Sequence, residues 1–360
     1  MSELSPESLV SPDHAPDCAF RVVAIGGGTG LSTLLSGLKR YVKPGAERTK
    51  SPVLSDLSAV VTVTDDGGSS GLLRKEFNIL PPGDIRNCIV ALSEDEALLA
   101  RLFQFRFPAE SALNGHNFGN LFLTALTAMT GDFAEAVKLS AEVLATRGRI
   151  FPSTTANVQL EALMNDGSHV FGETNITAST KRIVELQMVP TDAKPLPETL
   201  EAIARADLIT IGPGSLFTSL IPNLLVHGIP EAIAASKAVK VFVCNLMTEA
   251  NESLGLTAAG HLRAIEAHAG RNIFDYALVN ATPVSRATRA KYAQEAAEQI
   301  VADVDAIEAL GVKPIVGDYL DETGVARHAT GRVAKDLIQL VADVTGRASL
   351  ARVHAAHGDE

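Results

Sequence analysis

A pair of strand–glycine turn–helix signals constrains this chain more than any other feature. Residues 21–25 form an apolar run, RVVAI, that breaks at Gly26-Gly27-Gly28-Thr29-Gly30. Leu31, Leu34, Leu35 and Leu38 then recur at helical spacing. A second run, AVVTVT at 59–64, ends in Asp65-Asp66-Gly67-Gly68-Ser69-Ser70-Gly71 and leads into a short helix over 72–77. Strands connected in this way lie parallel and bind ligands at their carboxyl ends. The first turn offers bare backbone N–H groups and a helix N-terminus, which suit phosphate. The second offers two carboxylates and two hydroxyls, which suit a ribose, a metal ion or an attacking hydroxyl. Together they point to a nucleotide pocket.

The rest of the chain continues the pattern. Helices are expected over 84–92, 97–107, 121–129, 132–145, 198–205, 230–236, 257–269 and 331–344, and mainly helix over 284–304. Strands are expected over 207–211, 239–245, 276–280 and 312–316. The fold class is therefore α/β, a Rossmann-like, mostly parallel sheet with helices on both faces. From 149 to 190 the composition shifts to Thr, Val, Ile, Asn and Gly. This reads as a small β-rich insertion with strands at 158–164, 168–171 and 183–189, the first two a hairpin through Asn165-Asp166-Gly167. One domain is expected over 20–345, with a loop over 41–55, a mobile tail at 1–19 and a frayed tail at 346–360.

Composition narrows the function classes. A net charge of −11 with no lysine- or arginine-dense run gives no electrostatic footprint for nucleic acid or an anionic membrane. Any phosphate must therefore be held locally. Cys18, Cys88 and Cys244 form no CxxC pair and no zinc spacing, which favours a reducing, cytoplasmic setting. The most apolar region, 203–247, is interrupted by Pro213, Pro222, Pro230, Glu231 and Lys240, so no membrane insertion is expected.

Candidate site residues follow from the turns. Gly26–Gly30 is not a Walker A loop, since no Gly-Lys-Ser/Thr follows, and Leu31 occupies the third glycine position of the dinucleotide fingerprint. Gly27, Gly28, Thr29 and Gly30 are the expected phosphate contacts. A second anion cradle, Gly212-Pro213-Gly214-Ser215 with Thr218 behind it, suggests a diphosphate or two separate phosphates. Asp65 and Asp66 beside a phosphate site would repel an anion unless Mg²⁺ or a ribose hydroxyl intervenes, so they are expected to hold one or the other. Asp is also a common N-cap, the plainer role for such a pair. Asp84, Arg86 and Asn87 share a helix N-terminal turn, with Asp84 as its first residue. Arg86 there is either a clamp for a carboxylate, phosphate or polar ring, or a surface ion-pair partner. His116, Asn117 and Asn120 stand at the head of an apolar helix, where capping and core hydrogen bonding compete with acid–base work. Arg327 precedes the last helix within reach of the sheet edge, and Thr330 is expected to be that helix's N-cap and a weaker candidate for phosphorylation.

The ordered series AIGGGTGLSTLLSGL, VTVTDDGGSSGLLR, PPGDIRNCIVAL, GHNFGNLFLTAL, DLITIGPGSLFTSLIPNLL and VCNLMTE resembles the bacterial gluconeogenesis-factor family, CofD-like and related to 2-phospho-L-lactate transferase. The resemblance spans about residues 20–345. It implies one Rossmann-like α/β domain. In the transferase branch it implies transfer of a phospholactyl group from a guanosine diphosphate carrier to a deazaflavin with a divalent metal, Asp66 matching the substrate-binding Asp and Arg86 the deazaflavin-contacting Arg. Gly67-Gly68-Ser69-Ser70 after the acids is instead the pattern of the regulator branch. That branch implies binding of UDP-sugars such as UDP-N-acetylglucosamine, influence over cell shape, wall synthesis and growth on gluconeogenic carbon, and Arg327 as a nucleotide-sugar contact. Ser69, Ser70, Asn117 and Asn120 join the ligand-binding set on this reading. Two rivals remain, a Mg²⁺-dependent phosphoryl-group transferase and an NAD(P)-binding protein in which Asp66 grips a ribose. The sequence leaves a homodimer and further protein partners open.

Overall fold

The computed structural model describes residues 19–42, 53–94 and 97–347. Most of both expected tails and of the 41–55 loop, and Cys18, lie outside the described residues; Ala19 instead opens the first strand, and Arg347 forms an ion pair with Asp207.

Seven parallel strands form the central sheet. In chain order they begin with β1 (Ala19–Gly26), β2 (Val53–Val61) and β3 (Arg149–Pro152). A three-stranded antiparallel sheet of β4 (Gln159–Met164), β5 (His169–Phe171) and β6 (Ile183–Val189) interrupts the series. The main sheet resumes with β7 (Leu208–Ile211), β8 (Val239–Val243), β9 (Tyr276–Asn280) and β10 (Lys313–Gly317). A two-stranded ribbon, β11 (Leu320–Asp321) and β12 (Arg327–His328), follows it. The order across the main sheet is β10-β9-β8-β7-β1-β2-β3. Every residue of β7 is buried, which requires cover on both faces and explains why these strands read as unbroken apolar runs.

Helices surround the sheet. The first six are α1 (Gly28–Leu38), α2 (Gly68–Phe77), α3 (Gly83–Leu92), α4 (Ala97–Gln104), α5 (Phe118–Thr130) and α6 (Phe133–Val143). Then come α7 (Glu173–Ala178), α8 (Pro197–Arg205), α9 (Ile221–Leu224), α10 (Ile229–Ala235) and α11 (Ala258–Ala269). The last three are α12 (Arg286–Tyr292), α13 (Val304–Glu308) and α14 (Thr330–Thr345). Leu31, Leu34, Leu35 and Leu38 are all buried, as the spacing of the first helix predicts. Among the described residues no single helix is long and apolar enough to cross a membrane; the apolar segments 216–224 and 229–235 reach that length only together, across a 74° bend.

Several expectations need correction. Residues 149–152 are not part of the small insertion. They pair in parallel with Ser58–Val61 as the edge of the main sheet, and the insertion begins at Gln159. The composition shift that suggested otherwise starts inside β3, so composition cannot separate the two. The region 284–304 is helical over 286–295 and again only from Val304, where α13 begins. Ala296 turns to φ +56°, and the Glu298 and Ile300 N–H groups then bond to Thr248 Oγ1 and Leu246 O rather than to a helix of their own. The second strand starts at Val53 rather than 59, and the helix after it at Gly68. Asp84 lies inside α3 rather than at its start, with Pro82 in the N-cap position. Thr330 is likewise the first residue of α14, whose N-cap is Ala329.

The fold matters for function because of its strand order. β1 leads to β2 and β3 on one side, while β7 to β10 extend on the other. Between β1 and β7 the winding reverses, and the chains leaving those two strands part around a crevice.

Candidate functional site

The glycine turns occupy both banks of that crevice. β1 ends at Gly26, and α1 begins at Gly28 with no side chain capping it. The Gly28 N–H is taken by Asp84, which leaves those of Thr29 and Gly30, without a partner inside the helix, to face an anion. Opposite, the turn after β7 runs Gly212-Pro213-Gly214-Ser215. The two turns touch: a Cβ on Gly30 would stand 2.3 Å from Pro213 O and 2.9 Å from Gly214 Cα. Only glycine permits that approach. The second turn is clamped from β8, because Gly214 N–H donates to Asn245 Oδ1 at 2.9 Å and Asn245 Nδ2 donates to Gly214 O at 2.8 Å.

A cleft of about 540 Å³ opens over these turns. Gly27, Gly28, Thr29 and Gly30 line one bank and Gly214 and Ser215 the other, with Thr218 behind. Arg327, exposed on β12, forms part of the far wall beside His328. His328 Nε2 bonds to Cys244 O at 3.0 Å, and burial drives its pKa down to about 4, so it is a neutral wall. Gly212 is at φ +90° with no room for a side chain beneath Val243 O, and it shapes the turn rather than lining the cleft.

Carboxyls crowd the cleft. Asp84 accepts a hydrogen bond from the Gly28 N–H, and burial followed by the charge of Asp65 pushes its pKa up to about 6. Glu173, from α7 of the insertion, also lines the cleft; burial and then Asp65, Asp84, Glu252 and Asp66 raise it to about 9. Glu252 accepts from Thr218 Oγ1 at 2.8 Å and from Phe217 N–H at 3.3 Å, and burial with Glu249 lifts it to about 7. Burial raises Glu249 too, opposed by a hydrogen bond from Ser215. The Thr218 hydroxyl is thus committed to Glu252, and that of Ser215 to Glu249. Among the described residues no group of three or more His, Cys, Asp or Glu stands close enough to form a metal site unaided. A Mg²⁺ ion typically needs only one or two carboxylates when phosphates supply the rest. Asp84, which lines the cleft, and Asp65, whose charge acts on it, are the carboxylates that could serve there.

The second stretch divides its residues between places. Asp65 Oδ1 accepts from Gly67 N–H at 2.9 Å, and its other oxygen lies over Gly83, next to Asp84. Asp66 turns away: its Oδ1 accepts from the Thr174 N–H at 2.8 Å and the Thr174 hydroxyl at 2.6 Å. It lines a separate polar cavity with Arg74, Lys75 and Asn157. Ser69 is hydrogen-bonded to His116 Nδ1 at 3.2 Å and, at 3.4 Å, to the Asn117 N–H, while the Ser70 hydroxyl lies against Gly83. Asn117 caps α5 by accepting from Asn120 N–H. Arg86 donates to Asn120 Oδ1 at 3.0 Å and to Asn87 Oδ1 at 2.6 Å, and its buried Nε lacks a partner among the described residues. Arg86, Ser69, His116, Asn117 and Asn120 therefore form one polar cluster beside the cleft, not within its lining.

Sequence reasoning missed Asn245, Glu249 and Glu173. The first two follow the carboxyl end of β8, where strand order alone would have directed attention. Glu173 sits on a six-residue helix of the insertion, and no local pattern marks it.

A doubly wound parallel sheet whose glycine turns meet at its switch point defines an α/β protein with a crevice at the carboxyl ends of its strands, where such folds bind ligands. Sequence comparison is more specific. The family described as 2-phospho-L-lactate transferase CofD matches residues 22–320. The gluconeogenesis factor of Halalkalibacterium halodurans is 48% identical over 320 residues, covering 88% of this chain and 95% of that protein. That of Bacillus subtilis is 44% identical over 322 residues, covering 89% and 98%. A crystal structure of a UPF0052-family protein from Bacillus halodurans superposes with a TM-score of 0.83 at 47% identity, covering 89% of this chain and 99% of that one. The chain belongs to the CofD family, and these two bacterial relatives carry the name gluconeogenesis factor.

Proposed function

We propose that the chain binds a nucleoside diphosphate ester in the switch-point cleft, with a UDP-sugar such as UDP-N-acetylglucosamine as its ligand. On this reading it acts as a nucleotide-sugar-responsive regulator of cell shape, wall synthesis and gluconeogenic carbon use. The observation that carries the binding reading is the contact between the two glycine turns. The N-terminal turn of α1, with the Thr29 and Gly30 N–H groups, and the Asn245-clamped turn meet within one cleft, which suits two linked phosphates better than one. Arg327 supplies a cation on the far wall. When Mg²⁺ is bound it offsets diphosphate charge, with Asp65 and Asp84 as the residues to hold it. The regulatory role rests on the resemblance and on the relatives named gluconeogenesis factor.

A second reading, a phospholactyl-type transferase using a nucleoside-diphosphate-linked donor, draws on the family description and on the paired carboxyls Asp65 and Asp84 beside the cradle. Calorimetry with UDP-N-acetylglucosamine, a guanosine diphosphate ester and NAD(P), each with and without Mg²⁺, separates the readings. Saturable binding of the UDP-sugar without turnover supports the regulator. Product formation from the guanosine ester and a deazaflavin replaces it with the transferase, and binding of NAD(P) alone replaces both.

A further inference from the structure

The insertion reaches the cleft through one short helix, and that helix is fastened from outside. Glu173 opens α7 and faces the cleft, while the next residue, Thr174, faces the polar cavity on the other side. Asp66 holds the helix at this point, accepting from both the N–H and the hydroxyl of Thr174. Its second oxygen lies over Gly172, where a Cβ would stand only 2.4 Å away and φ is +85°. Glycine at 172 thus lets the Asp66 carboxylate seat directly on the α7 backbone. Ile176, fully buried, anchors the middle of the helix. At its far end Asn251 Nδ2 donates to Thr177 O at 3.1 Å, tying α7 to the turn that carries Glu249 and Glu252.

We propose that Asp66 is a positioning residue: through Thr174 it holds α7 so that Glu173 contacts the hydroxyl-bearing group esterified to the diphosphate and selects for it. The ligand side of this inference rests on the nucleotide-diphosphate reading above. Three facts favour positioning over direct contact by Asp66. Its acceptor oxygen is occupied by two donors, it lies outside the cleft lining, and the residue it fixes is adjacent to one that does line the cleft. Glu173 enters the cleft lining from the insertion, and belongs to neither of the two glycine turns that cradle phosphate. A carboxyl there serves a neutral, hydroxylated group better than a phosphate.

The test compares UDP with UDP-N-acetylglucosamine by calorimetry on the full chain and on Glu173→Ala, Asp66→Ala, Thr174→Val and the Asp66→Ala/Glu173→Ala double variant. Thermal unfolding checks that each is folded, and Thr174→Val serves if Asp66→Ala is not. The affinity ratio of ester to UDP is expected to fall roughly tenfold in Glu173→Ala, the size of one lost ligand hydrogen bond. Asp66→Ala should lower the same ratio, add nothing in the Glu173→Ala background, and be matched in direction by Thr174→Val. Equal weakening of UDP and ester by Asp66→Ala that persists beside Glu173→Ala would show direct contact by Asp66 and overturn the proposal. Binding of neither ligand by the unaltered chain would instead defeat the nucleotide reading. Positioning is then decided without ligand, by amide hydrogen exchange at Thr174 and across α7. Protection lost in Asp66→Ala supports it, and unchanged protection refutes it.

Discussion

Gly30→Ala probes the junction of the two turns on which the cleft depends. The added methyl would meet Pro213 O at 2.3 Å, Pro213 C at 2.6 Å and Gly214 Cα at 2.9 Å, all backbone atoms. Ordinary contact begins near 3.4 Å, so the turns must separate by 3.4 − 2.3 = 1.1 Å along that line. Neither side yields easily, since Asn245 grips Gly214 through two hydrogen bonds and α1 is packed through four buried leucines. Overpacking of this kind costs about 1–3 kcal/mol, and an unyielding backbone neighbour places it at the upper end. Alanine returns about 1 kcal/mol in helix propensity, leaving a net loss of about 2 kcal/mol. Gly331→Ala is the matched control: it too lies in a helix, but its nearest neighbour is Arg40 Nη1 at 3.8 Å, and it should be neutral or stabilising by up to about 1 kcal/mol. Urea unfolding midpoints measure the difference, and calorimetry with the UDP-sugar should show binding weakened in Gly30→Ala alone. A Gly30→Ala protein as stable as Gly331→Ala, with unaltered binding, would refute the claim that the turns interlock.

Asn245→Ala removes both hydrogen bonds to Gly214 and should cost about 1–3 kcal/mol in urea unfolding, with weaker ligand binding. Arg327→Ala, at an exposed position, should change stability by less than about 0.5 kcal/mol while lowering UDP-sugar affinity; unchanged affinity removes Arg327 from the site. Glu252 has a folded pKa raised to about 7, so its burial costs nothing at low pH and weakens the fold as pH rises from its ordinary range, near 4.5, through about 7. Glu252→Gln should therefore lose less stability than the unaltered protein between pH 5 and pH 8 (roughly, from that shift), and parallel pH profiles would contradict the assignment.

Much of this architecture was legible before any coordinates. The Leu31–Leu38 spacing, the three glycine turns and the 158–189 strands carry local signals of period and turn chemistry. What eluded the sequence depends on distant partners. Residues 149–152 look like part of the insertion because nothing in four residues announces pairing with β2 rather than with β4. Residues 296–303 have helical composition, yet their backbone is claimed by Leu246 and Thr248. The site divides in the same way. Gly27 to Gly30, Gly214, Ser215 and Arg327 could be found as turn and edge residues, and the fold gathers them in one cleft. Asp65 and Asp66 look equivalent in sequence, but alternation along the chain sends one toward Asp84 and the other toward Thr174. Glu173 needed the insertion to fold back on the sheet before it became part of any site.

The most direct test of the account is a crystal structure of the chain with UDP-N-acetylglucosamine and Mg²⁺. The account predicts the two phosphates between the N–H groups of Thr29 and Gly30 and the turn at Ser215, with Arg327 on the ligand. A diphosphate bound elsewhere, or a switch-point cleft left empty beside saturating ligand, would contradict it.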